Sequence, residues 1–538
     1  MGRSPRAPVV VLVGVLLLGA ALRVVPAPHW HESDPENYAA IAWRLSQGDP
    51  AAGRYTGPPH KPDETIGPRA FAIRPGLTVP VSWLMRLFAP TGWTIAAYPL
   101  LLGLSEILLA YLLGSLLWNR WAGVLAALAV ATLPLAVLHA RVLQPDLPAA
   151  VLVGWAVYAG LRAMAARRRQ GALGLGLGAG LLLGLSWLTK ETVVLALPAL
   201  AGLLAVHFRE SRRRVLLVAG TGLCGLLAVV AAESAAYHRT RGDALFRFHE
   251  LARNFEQCRE NFFYRDSPAY GWTESSYRRV LATRLGYSGP RTLLFGVHSL
   301  ALGFLACCAA VLLWRTRTPR LAAPLTWFGL LLLAFNFGST SWSHYRPLVP
   351  FPHYFYPIVL PAALLLAAGL EVAIRKLRAL TPRWPWLPSG GACAVLVLFA
   401  VYGGASCRWN VQIRRTPQAF AALAAELPSE AVVATDFRTR FTLSYYRTGV
   451  PEFSEQTVSL QDPAAVAKAE YLLVRPQWLA WLRDRYGYEI PTDATPPAEL
   501  WTLVQTRADL QVFQRTTWPA DGATAEDVGR DRRPVRLP

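Results

Sequence analysis

A succession of long apolar runs decides what this chain can fold into. They fall at roughly 8–27, 95–117, 121–139, 147–165, 171–189, 191–206, 215–235, 293–314, 321–338, 353–374 and 391–406. A helix needs about 17–25 apolar residues to cross hydrocarbon, and most of these runs have them. Across 538 positions, 53% are hydrophobic and only 16% charged, which is a membrane composition with some soluble mass attached. The net charge of +20 could point to nucleic acid. Its Arg clusters sit between the apolar runs, however, and match no nucleic-acid module, so no nucleic-acid partner is expected.

Charge placement fixes the expected topology. The run 8–27, preceded by Arg3 and Arg6, reads as a retained signal-anchor, with a cleaved signal peptide as the alternative. The stretch 76–90 is short and holds Pro80 and Arg86. If it lies at the surface, eleven spans remain, and Arg120, Arg167–Arg168–Arg169, Arg212–Arg213–Arg214, Arg315, Arg317, Arg320 and Arg375–Lys376 all face the cytoplasm. Counting it as a span would put every one of them outside. The expected fold is therefore an all-α polytopic membrane domain with about eleven transmembrane helices, interfacial helices in its first outer loop, and a cytoplasmic amino terminus.

After Cys407 the chain changes character. Short β-rich runs at 431–436, 471–476, 500–506 and 510–515 alternate with helical stretches such as 416–427. That pattern predicts a small α/β domain outside the membrane. The expected division is 1–407 for the membrane domain, 408–520 for the soluble domain and 521–538 for a disordered tail. Of the six cysteines, Cys258 and Cys407 could meet as a disulfide outside the membrane; unpaired thiols are the preferred reading.

The chemistry gathers on the outer side. Directly after the first run, His31, Glu32, Asp34 and Glu36 crowd together. Asp34 can cap a helix whose first turn accepts Pro35, and Tyr38, Ile41, Ala42 and Leu45 recur with helical spacing. Such a helix would lie along the membrane surface. Further outer sites are Arg74-Pro75-Gly76, Arg141 to Asp146, Thr189-Lys190-Glu191, and His353-Tyr354-Phe355-Tyr356-Pro357. Cations can hold a lipid-linked phosphate, and a carboxylate can take a proton from an attacking hydroxyl. Taken singly, Lys190 could only snorkel to the interface, Arg141 could be an anchor, and His353 could belong to an aromatic belt. No phosphate-loop motif occurs, so ATP-driven transport has no support.

In this order the motifs resemble those of the GT-C membrane glycosyltransferases that use polyprenyl-phosphate sugars. That group includes protein O-mannosyltransferases, lipid A aminoarabinose transferases and lipopolysaccharide-core glycosyltransferases. The resemblance covers residues 8–375. The family's acidic D-E-x-x-Y motif corresponds to Asp34-Pro35-Glu36-Asn37-Tyr38, and its cation-Pro-Pro-Leu stretch to Arg74-Pro75-Gly76-Leu77. Gln144-Pro145-Asp146 and Leu188-Thr189-Lys190 match two further motifs, and His353-Tyr354-Phe355-Tyr356-Pro357 stands where Arg-Tyr-x-x-Pro is found. The departures are Pro35 for an acid, Gly76 for a proline and His353 for an arginine.

The resemblance implies an integral-membrane glycosyltransferase of the cell (inner) membrane. It would move a hexosyl or pentosyl group from a polyprenyl-phosphate donor to a lipid, glycan or protein acceptor on the extracytoplasmic face, with inversion. Asp34 would be the general base, and Asp146 would orient the acceptor or a metal. Arg74 and Lys190 would hold the donor phosphate, with Glu36, Tyr38, His353 and Tyr354 in the substrate site. A divalent metal is the one cofactor two carboxylates could hold. The rival reading is a polytopic lipid transporter or flippase without transferase activity. It would favour charge in mid-span, which these runs nearly lack.

Overall fold

The computed structural model describes residues 7–25, 34–49, 74–208, 211–252, 302–316, 322–338, 352–380, 387–451, 454–460, 462–480 and 500–516. The helices are α1 (Ala7–Val24), α2 (Asp34–Ser46), α3 (Pro75–Leu87), α4 (Gly92–Leu117), α5 (Arg120–Thr132), α6 (Pro134–His139), α7 (Asp146–Ala165), α8 (Arg169–Thr189), α9 (Leu197–Phe208) and α10 (Arg212–Arg241). They continue with α11 (Leu302–Arg315), α12 (Ala322–Phe337), α13 (Val359–Leu380) and α14 (Leu387–Glu426). Two 3₁₀ segments, Glu191–Ala196 and Pro352–Ile358, lead into α9 and α13. Among the described residues six helices are long and apolar enough to cross a membrane, and five shorter apolar helices accompany them. Leu17, Leu101, Leu223, Trp314 and Leu396 are exposed on these helices, so the solvent that suits their outer faces is lipid. The chain is a multi-pass membrane protein.

The described residues cluster as two compact units. The first takes its residues from 7–25, 74–80 and 96–410. Here α8 packs on α7 and α10, α1 and α13 on α5, α9 on α12, and α11 on α13. The α8–α10 crossing is close because of glycine. A Cβ at Gly180 would stand 1.8 Å from the Gly222 carbonyl oxygen, and at Gly176 and Gly184, a turn to either side, it would meet the Thr221 and Val229 side chains of α10 at 2.2 and 2.5 Å. Without a hydrophobic force between helices in lipid, this backbone contact is what holds them.

A break in the fifth helix positions the next motif. Pro134 has no N–H to give the Val130 carbonyl, so α5 stops and α6 restarts at an angle. The freed carbonyls lie inside the bundle and must find donors. Arg23 of α1, fully buried, supplies them: Nη2 donates to Val130 O (3.0 Å) and Nη1 to Ala131 O (2.9 Å). Ser406 Oγ donates to Thr132 O at 2.6 Å. The restarted turn carries His139 and delivers the chain to Asp146.

The second unit takes its residues from 34–49, 81–95 and 411–516. It holds a five-stranded sheet of β1 (Val433–Thr435), β2 (Thr457–Ser459), β3 (Tyr471–Val474), β4 (Trp501–Arg507) and β5 (Leu510–Arg515) in the order β2-β1-β3-β5-β4. The β1 pairings are parallel and the β5 pairings antiparallel. Alternation sends Val433, Leu473 and Val512 to a face covered by Phe420 and Leu423 of α14. Ala434, Leu472 and Phe513 face the other way, onto Leu479 and Trp501. The helices α15 (Phe437–Thr448) and α16 (Pro463–Ala467) connect the parallel strands.

The same unit contains α2. Its stripe predicts burial on one face, yet Pro35 to Ala42 are buried on every face. Glu36 is tolerated there because the Thr442 hydroxyl of α15 donates to its carboxylate. Arg86, the cation inside the short apolar stretch, donates to Ser46 O (3.0 Å) and Leu45 O (2.8 Å), the open carbonyls at the end of α2. The helix α3 has 13 residues, about 20 Å, which is too short to cross hydrocarbon. Among the described residues Cys407 has no disulfide partner, and Cys258 lies outside them.

Candidate active site

The first unit assembles five of the expected residues from four distant stretches. Asp146 stands in the first turn of α7, where a helix end welcomes a carboxylate. The helix α8 ends at Thr189, and Lys190 leaves it in extended conformation before the 3₁₀ turn begins at Glu191. That reversal turns the Lys190 ammonium inward, onto Asp146 Oδ1. Both side chains are only 4% exposed, so Lys190 is a buried partner and not an anchor reaching for water. Burial draws the Lys190 pKa below its usual value, and the Asp146 carboxylate draws it back up. The Tyr354 ring lies 4.2 Å from the Lys190 ammonium, a cation–π contact that adds to the same site.

Arg74 precedes α3 and pairs with Glu191 at 3.0 Å. Gly76 makes this approach possible. A Cβ there would come within 2.6 Å of Thr189 Oγ1 and 2.7 Å of Thr189 N, so the first turn of α3 lies against the end of α8. The departure from proline at this position thus has a steric reason. His353 stacks edge-on with Tyr354 at 4.5 Å and lies 6.3 Å from His139, whose ring is edge-on to Tyr356 at 5.3 Å. The Tyr356 hydroxyl donates to the buried Glu106 of α4 at 2.7 Å, which ties the 3₁₀ segment to the bundle interior.

Arg247, which the motif reading did not single out, completes the set. It pairs with Glu233 of α10, donates to Trp187 O at 2.7 Å and lies 4.6 Å above the Trp187 ring. The signal that could have found it is an arginine between two phenylalanines, Phe246 and Phe248, in an expected outer loop. A narrow recess of about 10 Å³ adjoins the site, lined by Asp146 and Lys190 together with Ala150, Val153, Val193 and Phe335. Among the described residues no three His, Cys, Asp or Glu side chains gather as metal ligands, and Asp146 already faces an ammonium, which opposes a divalent ion.

Glu36 and Tyr38 belong to the second unit, and both are buried there. Asp34 begins α2; its side chain, like His31 and Glu32, lies outside the described residues.

Residues 78–234 match the family model of dolichyl-phosphate-mannose-protein mannosyltransferases. The chain resembles the GT-C membrane glycosyltransferases. ArnT from Cupriavidus metallidurans bound to undecaprenyl phosphate is 15% identical with a TM-score of 0.54, over 95% of this chain and 98% of that one. The Archaeoglobus fulgidus oligosaccharyltransferase in complex with Zn and sulfate is 14% identical with a TM-score of 0.54, over 91% of this chain and 71% of that one. The same oligosaccharyltransferase tethered to an acceptor peptide matches at 13% identity and TM-score 0.54, over 96% and 75%. At these identities the likeness is one of fold. No curated protein matches the chain.

Proposed function

We propose that this protein is a GT-C glycosyltransferase that moves a sugar from a polyprenyl-phosphate donor to an acceptor outside the cytoplasm. The observation that carries the reading is the buried cluster in which Lys190 meets Asp146 and Tyr354 while Arg74 pairs with the adjacent Glu191, beside a recess that Asp146 and Lys190 share with apolar side chains. A lipid-linked phosphate needs cations beside a greasy channel, and isolated charges are otherwise too costly at membrane depth. The likeness to a fold that holds undecaprenyl phosphate in ArnT supports the same donor class. In this reading the chain crosses the membrane eleven times, with its carboxyl-terminal α/β part outside the cytoplasm.

The reaction is an inverting displacement. The acceptor oxygen attacks the anomeric carbon, the bond from that carbon to the phosphate oxygen breaks, and its electron pair leaves on polyprenyl phosphate. Arg74 and Lys190 hold the phosphate as its charge grows, and Asp34 takes the acceptor proton. Sugar transfer from defined polyprenyl-phosphate donors in vesicles tests this, with Asp34→Asn beside the wild type. Asparagine caps a helix as well as aspartate does, so the variant folds and transfer falls by about 10²-fold or more. Full activity of Asp34→Asn would remove it as the base. A wild type that moves lipid across the bilayer but transfers no sugar would replace the enzyme by a transporter.

A further inference from the structure

Glu191 is the part of this site to which neither the family resemblance nor the proposed chemistry gives a role. Its Oε1 pairs with Arg74 at 3.0 Å through a single contact, not a bidentate fork. Its Oε2 is buried and has no hydrogen-bond partner among the described residues. The charges of Arg74, Lys190 and Arg247 all reach this carboxylate. With Asp146 on Lys190 and Glu233 on Arg247, each of the three cations already has a carboxylate, and these three pairs carry no net charge. A buried carboxylate oxygen without a donor is costly, and a one-point ion pair exchanges more readily than a fork. Glu233, by contrast, accepts from both Arg247 and Trp187.

We propose that Glu191 is the counter-ion an incoming phosphate displaces from Arg74, and that it sets how tightly the site holds the spent carrier. The inference rests on the reading that Arg74 is a donor-phosphate ligand. The donor is a phosphodiester with one negative charge. The leaving polyprenyl phosphate is a monoester with close to two charges at neutral pH. A fixed carboxylate beside Arg74 opposes the second more strongly than the first, because repulsion scales with the charge it acts on. Glu191 therefore disfavours product over donor and keeps the site from being blocked by its own leaving group. It is a specificity-determining residue that acts through Arg74.

The test is equilibrium binding of undecaprenyl phosphate to the full chain in detergent, with undecaprenol as the phosphate-free control. Glu191→Gln keeps shape and removes the charge. It should bind undecaprenyl phosphate about ten-fold more tightly near neutral pH, the size of one contact to a charged group. The gain should shrink at about pH 5, where the monoester carries one charge. Glu191→Asp, which keeps the charge, should stay near the wild type. Measured against Arg74→Ala, the double variant Arg74→Ala/Glu191→Gln should gain less than Glu191→Gln gains over the wild type, because only the direct repulsion remains once there is no Arg74 to compete for. A gain in affinity is something a merely damaged site does not produce. If the wild type prefers undecaprenyl phosphate to undecaprenol and Glu191→Gln binds it no more tightly, the counter-ion role is wrong and the phosphate site stands. If the wild type does not distinguish the two lipids, the phosphate site itself is wrong.

Discussion

Lys190→Met separates what the buried pair does for stability from what it does for chemistry. Lys190 and Asp146 are each 4% exposed, and the ammonium also rests on the Tyr354 ring at 4.2 Å. Methionine keeps most of the length and apolar stem but leaves Asp146 as an unpaired buried carboxylate. Removing one partner of such a pair typically costs about 3–5 kcal/mol. Asp146 can escape part of this by taking up a proton, so the loss should be smaller in acid. The second variant, Asp146→Asn/Lys190→Met, removes both charges and should recover most of the stability, since a buried pair is often no better than a neutral replacement. Transfer should not recover, because the cation for the phosphate is still missing. Thermal unfolding in detergent and sugar transfer are measured on the same preparations. If Lys190→Met melts with the wild type, the pair is not buried as described. If the double variant transfers sugar normally, neither charge takes part in the reaction.

Four other outcomes follow from particular contacts. Gly76→Ala should lower stability by about 1–3 kcal/mol and depress transfer with it, because the new methyl meets Thr189 backbone and hydroxyl; unchanged melting would contradict the close approach. Arg23→Met should destabilise by about 2–4 kcal/mol, since two buried carbonyls lose their donors, while the apparent KM for donor stays near the wild-type value. Glu36→Gln and Thr442→Val should cost similar amounts of stability, and far less transfer than Asp34→Asn, because they break one shared hydrogen bond; a dead Glu36→Gln beside an active Asp34→Asn would make Glu36 the base. Cysteines introduced at 450 should label in intact cells and those at 168 should not, the order that the Arg clusters require.

Much of the helical layout was legible because length and hydropathy are local properties. Each apolar run with described residues carries a helix, and the strands at 433–435, 471–474 and 510–515 lie inside the expected β-rich runs, while the strand 501–507 passes its expected run by one residue. The strand Thr457–Ser459 was not legible, being three residues long with two hydroxyls. Nor was the continuity of α14, which runs from Leu387 to Glu426 through the change from apolar to charged residues at Arg408. Backbone hydrogen bonding is indifferent to that change. In the site, the sequence offered Arg74, Asp146, Lys190 and His353 as candidates only through their order. It could not say that Arg74 meets Glu191 rather than a ligand, or that Tyr356 meets Glu106, because those partners lie 117 and 250 residues away. Periodicity reports which face of a helix is apolar; it carries nothing about which distant carboxylate a cation will find.

The bond between Arg23 and the broken fifth helix also imposes a schedule on biogenesis. Arg23 enters the bilayer with the first helix, but its acceptors, Val130 and Ala131, are 107 and 108 residues further along. At about 5–20 residues per second the ribosome needs roughly 5–20 s to make them. For that time a guanidinium is held near the end of α1 with only the Gly19 carbonyl of its own helix to accept from it, and it must stay at the headgroups or in the insertion machinery. The first helix can therefore settle to its final depth only after the fifth arrives. A ribosome paused between the two would expose a membrane protein whose opening segment is inserted but not yet docked, a state in which the quality-control proteases of the membrane would find their substrate.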